Sequence, residues 1–406
     1  MIDILVVSHA CLTSINRAPY RLLAAMGWNI EIVTADEIAS RDITRRADPA
    51  TPDDPPMHFL PLRGNNMRLW SFVGLRDVLT RRQPRIVMLD YDPGTRIALE
   101  TGWFTRGKGT RIACLSYDNI LRSVFGELRR SPAAAARTAG MRVLSAFARL
   151  AVDHVFVLSN DSADVMERMG FRGRVSRIPL GFDPALFRPD PAARARVRSA
   201  LGLRELTFAY FGRLIPEKGA HLLLEALHRL RDRPWQLLMD RFSDYRHPYT
   251  RELTALIERL ELKDRIVTFD APHDEIGDYM NAADVVVMPS QSTERWKEQY
   301  GRVAAESMAC GRLVVVSDSG ALPELVGDAG IVVPERELIN LDRRLASILD
   351  EPATIDNYAA LASKRALREL SLPVQCAKMH EQFASWGLPS PNARRAPSSL
   401  APEPGG

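Results

Sequence analysis

Two carboxylates stand eight positions apart in Glu298-Gln-Tyr-Gly-Arg-Val-Ala-Ala-Glu306. If one helix ran through the stretch, Glu298, Arg302 and Glu306 would share a face as an exposed ion ladder, worth about 0.2–0.5 kcal/mol per pair. Gly301 argues against that arrangement, because a glycine inside a helix costs about 1 kcal/mol. The helix is therefore expected to begin near Gly301. Glu298 then lies in the preceding loop and Glu306 in the second turn. The helix N-terminus between them would offer free backbone N–H groups to an anion. Carboxylates also accept from sugar hydroxyls, at roughly 1.5–3 kcal/mol per charged hydrogen bond.

A second constellation is Gly212-Arg213-Leu214-Ile215-Pro216-Glu217-Lys218-Gly219. It falls where an apolar strand pattern gives way to a helical one. Arg213 and Lys218 beside a helix start could neutralise a diphosphate, Arg as a bidentate donor and Lys as a point charge. The competing reading is a solvated turn in which Glu217 pairs with a cation. Asp90-Tyr-Asp92 at another strand end could hold a divalent cation on a diphosphate. Pro93 follows at once, and the pair lies in the other half of the chain from Arg213, so capping of the next helix is preferred and no metal site is expected. Residues 121–150 carry Arg122, Arg129, Arg130, Arg137, Arg142 and Arg149 among apolar residues. They could rest on an anionic membrane and deliver a lipid-linked acceptor, although a solvated helix face is the preferred reading.

The elements that must position these groups alternate between strand and helix. Apolar runs at residues 4–8, 30–34, 86–89, 111–116, 154–158 and 175–178 read as strands buried on both faces. Helical patterns lie between them at 17–26, 68–81, 95–104, 120–152 (interrupted near Pro132) and 161–169, the last capped by Ser159. Residues 35–56, rich in Asp, Arg and Pro, read as a surface excursion. A proline-rich, aperiodic stretch at 179–191 is the linker. The alternation then restarts, with strands at 206–211, 235–239, 266–269, 285–288 and 313–316. The fold class is α/β, with two doubly wound Rossmann-like domains. The expected boundaries are 1–180, 181–372, a C-terminal helix at 373–386 returning to the first domain, and a disordered tail at 387–406.

Composition bounds the function. The 406 residues are 46% hydrophobic and 26% charged, with formal net charge +4. That modest excess suits an acidic small molecule or an anionic membrane surface and does not point to nucleic acid. Four widely spaced cysteines, Cys11, Cys114, Cys310 and Cys376, show no CxxC spacing and read as buried thiols in a reducing compartment. The opening residues read as a strand rather than a signal peptide, and no uncharged run reaches the ~18 residues of a spanning helix. The expected location is cytoplasmic, at most peripheral on the inner membrane face.

Taken in order, three motifs resemble the retaining GT-B glycosyltransferases of family 4: G-R-L-x-x-E-K-G at 212–219, E-x7-E at Glu298 and Glu306, and Ser319-Gly-Ala-Leu-Pro-Glu324 leading to Gly327-Asp-Ala-Gly-Ile-Val-Val-Pro334. Weaker matches are 178–183 and the Asn16-Arg17 loop. The resemblance implies two domains facing each other across a cleft. It implies transfer of a sugar with retention from a nucleotide-diphosphate donor to a glycan, lipid-linked or small-molecule acceptor, with neither metal nor cofactor. Arg213 and Lys218 would neutralise the diphosphate. Glu306 would accept from the ribose and Glu298 would hold the transferred sugar. Backbone amides at Tyr300, Gly301 and Arg302 would meet sugar and phosphate. Acceptor-side roles fall to Asn16, Arg17, Asp118 and Asn119.

The chain departs from the family pattern in two loops. No glycine occurs between Ser8 and Arg17, and Asp240-Arg-Phe-Ser-Asp244 replaces a Gly-x-Gly that would shape the base pocket. Two other functions stay open on the sequence: a GT-B-type sugar-nucleotide epimerase, and a non-catalytic nucleotide-sugar-binding partner subunit.

Overall fold

The computed structural model describes residues 2–39, 44–240 and 248–387. The expected tail beyond Gly387 and the loop 241–244 lie outside them. The chain divides into two compact units. The first comprises residues 1–157, 163–178 and 373–406, and the second 158–162 and 179–372.

The first unit's strands are β1 (Ile4–Val7), β2 (Ile30–Ala35), β3 (Glu37–Ala39), β4 (Thr44–Arg46), β5 (Met57–Leu60), β6 (Leu62–Arg63), β7 (Ser71–Phe72), β8 (Ile86–Leu89), β9 (Arg111–Ser116), β10 (His154–Val157) and β11 (Val175–Arg177). Seven of them form a parallel sheet in the order β11-β10-β9-β8-β1-β2-β5. The central strands are buried on both faces because helices cover both sides, which is why they read as unbroken apolar runs. The order reverses between β1 and β8. In open α/β sheets such a switch point leaves a crevice at the strands' carboxyl ends.

The helices of this unit are α1 (Ala18–Ala25), α2 (Leu75–Arg82), α3 (Arg96–Thr105), α4 (Val124–Leu128), α5 (Pro132–Ala148) and α6 (Asn160–Met166), the last straddling the unit boundary. The region expected as one interrupted helix is α4 and α5. Ser131 Oγ accepts from the Ala134 amide at 3.1 Å and Pro132 occupies the first turn, so α5 has its own start. Two expectations need correction. Residues 68–81 are not one helix: a turn at Met67–Leu69 leads into β7, which pairs antiparallel with β6, and α2 begins only after Gly74 at φ +95°. The excursion at 35–56 contains the antiparallel pair β3–β4, Asp48 accepts from the Ser14 amide, and Asp54 pairs with Arg17 and Arg21.

The second unit holds β12 (Thr207–Tyr210), β13 (Gln236–Asp240), β14 (Ile266–Phe269), β15 (Val285–Met288), β16 (Leu313–Ser317) and β17 (Ile331–Val333), all parallel, in the order β14-β13-β12-β15-β16-β17. Its switch point lies between β12 and β15. Its helices are α7 (Pro191–Leu201), α8 (Ala220–His228), α9 (Pro248–Arg259), α10 (Ile276–Ala282), α11 (Arg302–Ala309), α12 (Leu322–Val326), α13 (Leu341–Asp350) and α14 (Ala353–Arg365). Helix α7 has no clear apolar period. It forms because Asp190 caps the Ala193 amide at 2.8 Å and Pro191 sits in the first turn. The final helix, α15 (Leu372–Ser385), packs in the first unit: Phe383 is buried against Trp28 and Phe156. All four cysteines are buried and unbridged, and burial pushes Cys11, Cys310 and Cys376 up to about 12.

Candidate functional site

In the second unit both motif stretches emerge at the switch point. Residues 212–219 leave β12, and the chain from Pro289 onward leaves β15. The turn at 216–218 ends on Gly219 in the left-handed region (φ +71°), where a Cβ would sit 2.0 Å from the Pro289 carbonyl oxygen. Glycine there lets the β12 turn lie against the β15 loop. As a result Lys218 Nζ reaches Glu298 Oε2 at 2.5 Å. Lys218 also lies 5.4 Å from the centre of the Trp296 ring, and Ser290 Oγ donates to Glu298 Oε2 at 3.2 Å.

The Glu298 backbone is clamped from a third loop, the one after β16. The Glu298 amide donates to Ser319 Oγ at 3.3 Å, and the Glu298 carbonyl accepts from the Ala321 amide at 3.1 Å. A Cβ at Gly320 would lie 2.1 Å from the Glu298 carbonyl oxygen. The Ser319–Glu324 motif therefore works by holding Glu298 in place. Ser290, Trp296 and Ser319 carry no local signal for this role, because the contacts link loops far apart in the chain.

Helix α11 begins at Arg302 with Gly301 as its cap, at φ +97°, so the expectation that the helix starts there holds. The first-turn amides of Arg302 and Val303 have no carbonyl four residues back within the helix. Tyr300 is buried at 6% exposure. Glu306 is 4% exposed, and its carboxylate accepts no hydrogen bond from any described residue. Burial pushes it up to about 7, with Arg302 pulling the other way. Arg213 is exposed, and its guanidinium pairs with no described residue. Among the described residues this unit thus presents an unpaired cation, a lysine–glutamate pair, a helix start with no side-chain cap and a buried carboxylate without a hydrogen-bond donor.

The first unit's switch point carries a different cluster. Asp90 accepts from Ser8 Oγ at 2.7 Å and from Tyr117 OH at 3.0 Å. Asp92 Oδ1 accepts from Ser116 Oγ at 2.6 Å and from the Tyr117 amide at 3.0 Å. These two carboxylates tie strand ends together, and the cap of α3 is Thr95, not either aspartate. Among the described residues no group of three or more His, Cys, Asp or Glu side chains is arranged to hold a metal ion. Asp118 pairs with Arg68 at 2.8 Å; burial and Asp92 nonetheless push it up to about 6. Asn119 is buried.

Arg17 corrects an expectation. Its side chain is fully buried. It pairs with Asp54 at 2.8 Å and donates to the carbonyls of Cys11, Leu12, Asp48 and Pro49. It organises the loop from inside and is not free to meet an acceptor. Asn16 likewise donates to the Ala10 carbonyl at 2.9 Å. His9, two residues past the carboxyl end of β1, lies at the same end of the sheet. It sits 5.1 Å from the rings of both Trp70 and Tyr91, with its buried Nδ1 unpartnered and its basicity lowered by burial. A lone histidine after an apolar strand gave no hint of that.

Residues 193–365 match the family model described as glycosyl transferases group 1. The chain is 32% identical over 184 residues to a D-inositol 3-phosphate glycosyltransferase of Segniliparus rotundus, a match covering 44% of this chain and 40% of that protein. It is 32% identical over 184 residues to a GDP-mannose-dependent alpha-(1-6)-phosphatidylinositol monomannoside mannosyltransferase of Mycolicibacterium smegmatis, covering 44% and 48%. The chain thus spans about half the length of the curated relatives it matches. Among solved structures, Anabaena HepE in complex with UDP and glucose aligns with TM-score 0.71 at 20% identity, over 95% of this chain and 100% of that one. That likeness supports the fold, and the group 1 match falls on the unit that carries Arg213, Lys218, Glu298 and Glu306. Residues 193–365 thus resemble the glycosyl transferases group 1 family, in a chain whose two units carry the GT-B fold.

Proposed function

We propose that the chain is a glycosyltransferase that moves a sugar, with retention, from a nucleotide-diphosphate donor to a glycan, lipid-linked or small-molecule acceptor. The observation that carries this reading is Glu306. A carboxylate 4% exposed with no hydrogen-bond donor among the described residues is costly unless a ligand supplies one. Two ribose hydroxyls would do so. HepE is described with UDP and glucose, and the relatives act on inositol 3-phosphate or a phosphatidylinositol mannoside by name. A nucleotide-sugar donor and a polyol or glycolipid acceptor are therefore the chemistry to test.

On this reading Arg213 meets the diphosphate as a bidentate donor, and Lys218 shares its charge between Glu298 and the phosphate. Glu298, held rigid by Ser290 and the Ser319–Ala321 clamp, accepts from hydroxyls of the transferred sugar. The first-turn amides of α11 take remaining phosphate or sugar oxygens. The acceptor oxygen attacks the anomeric carbon on the face from which the diphosphate departs, and the departing phosphate oxygen takes the acceptor's proton. Fixed cations at the leaving group and positioning of the two substrates supply the rate, with no enzyme nucleophile and no metal.

The test is binding followed by turnover. A nucleoside diphosphate at saturating concentration should raise the melting temperature of the wild-type chain. Glu306→Ala and Arg213→Ala should stay folded and lose both the shift and the transfer. Full transfer activity in either purified variant overturns the proposal. A changed sugar released without any acceptor would favour an epimerase instead.

A further inference from the structure

Segment 119–152 contains six arginines, no lysine and a single acid, Glu127, which is buried. A solvated helix face would turn its apolar residues inward. Helix α5 also leaves large apolar residues outside over its second half. Met141 and Ser145 pack inward, within 4 Å of where a Gly94 side chain would be, while Val143 (56%) and Phe147 (60%) stand in solvent, followed by Leu150 (85%). These three recur at spacings of four and three, so they share one face. Phe125 (82%) and Leu128 (53%) extend the exposed apolar set onto α4. Trp103 (72%) adds to it from the end of α3, whose Gly102 abuts Ala151 just past Leu150. Arg129, Arg130, Arg137, Arg142 and Arg149 are exposed in the same segment.

Six of the twelve large apolar side chains exposed among the described residues thus gather here, among arginines and with no exposed acid in segment 119–152, and match a surface that is apolar beneath and negative above. We infer that this face of α4 and α5, with Trp103, docks on an anionic lipid bilayer surface. Charge complementarity selects that occupant over an acidic soluble protein, because Phe125, Phe147 and Leu150 would stay wet against a polar partner. Docking deepens the proposed transferase reading, and rests on it, by naming the acceptor class. The inner face of α5 carries Met141, whose Sδ lies 3.9 Å from Arg68, the partner of Asp118. Docking on the outer face would thus hold Arg68 and Asp118 one helix diameter, roughly 10 Å, from the bilayer surface.

The experiment is co-sedimentation of the full chain with vesicles of phosphatidylcholine alone and of phosphatidylcholine mixed with phosphatidylglycerol, with nucleoside diphosphate binding measured in parallel. Wild type should partition onto the anionic vesicles and only weakly onto the zwitterionic ones, with salt weakening the binding. Phe147→Glu/Leu150→Glu and Arg129→Glu/Arg130→Glu should each lose about 10-fold or more in partitioning. Both positions in each pair are exposed, so nucleotide binding should be unchanged. Equal partitioning of wild type and both double variants overturns the docking surface. So does a concentration-dependent dimer, seen by light scattering, that Phe147→Glu/Leu150→Glu abolishes. Loss of nucleotide binding in wild type would instead sink the transferase reading.

Discussion

Replacing Glu306 by Gln should make stability less sensitive to pH, by an amount the structure sets. In the fold this carboxyl stays protonated up to about 7, against an ordinary value of 4.5, because burial disfavours its charge. Between those two values the folded state binds more protons than the unfolded state. Stability therefore falls as pH rises through that window and is level above it. A shift from 4.5 to about 7 corresponds to roughly 3 kcal/mol, at about 1.4 kcal/mol per unit. Glutamine carries no charge, and any cost of its own buried amide is independent of pH. The stability of Glu306→Gln relative to wild type should thus improve by roughly 3 kcal/mol between about pH 4.5 and about pH 8. Urea unfolding across that range, on wild type and variant, measures the difference. Parallel curves would show that Glu306 is not held neutral by burial. Ligand adds a second readout. Hydroxyls donating to Glu306 favour its ionised form, so nucleoside diphosphate binding near pH 7 should release a proton from wild type but not from Glu306→Gln. Calorimetry in buffers of different ionisation enthalpy detects that release.

Three further outcomes follow from named contacts. Gly301→Ala forces a side chain into φ +97° with its Cβ 2.5 Å from Leu322 Cδ2; a cost of about 1–3 kcal/mol in unfolding free energy is expected, together with weakened donor binding. Lys218→Ala removes the cation 2.5 Å from Glu298; nucleoside diphosphate affinity by calorimetry should drop about 10- to 100-fold, and unchanged affinity would place the diphosphate elsewhere. Arg17→Met leaves Asp54 with the Arg21 guanidinium and the Thr51 amide alone and takes the donor from four carbonyls; in the wild type burial raises the Asp54 carboxyl, but the hydrogen bonds from Thr51, Arg21 and Arg17 outweigh it and hold it down to about 2. Loss of about 1–3 kcal/mol is expected from the buried carbonyls left without a donor, with the deficit over wild type shrinking as pH falls through the range 3.8 to about 2, where Asp54 gains its proton.

The alternation of buried strands and helices was legible because parallel strands covered on both faces must be continuously apolar, and that pattern needs no tertiary information. The start of α11 was legible for a similar reason: glycine is poor inside a helix and suited to a left-handed cap. Glu298 and Glu306 could therefore be put in a loop and in a second turn from spacing alone. The errors have local causes too. Residues 68–81 look helical by period, yet β6 offers β7 a partner that the period does not encode. Arg17 reads as a loop cation, yet the excursion at 44–56 folds back and surrounds it with carbonyls and Asp54.

What the residue order determined by itself is the class of the fold, the two units and the positions of Arg213, Lys218, Glu298 and Glu306 at strand and helix ends. These follow from period, propensity and capping, which act over a few residues. Only the tertiary structure decided which groups are spent and which are left over. It paired Lys218 with Glu298 across 80 positions and clamped Glu298 from the loop after β16. It also left Glu306 buried without a donor among the described residues, set His9 against Trp70 and Tyr91, and turned Val143, Phe147 and Leu150 outward. Period says which residues share a face, and whether that face is covered depends on chain that arrives from far away in the sequence.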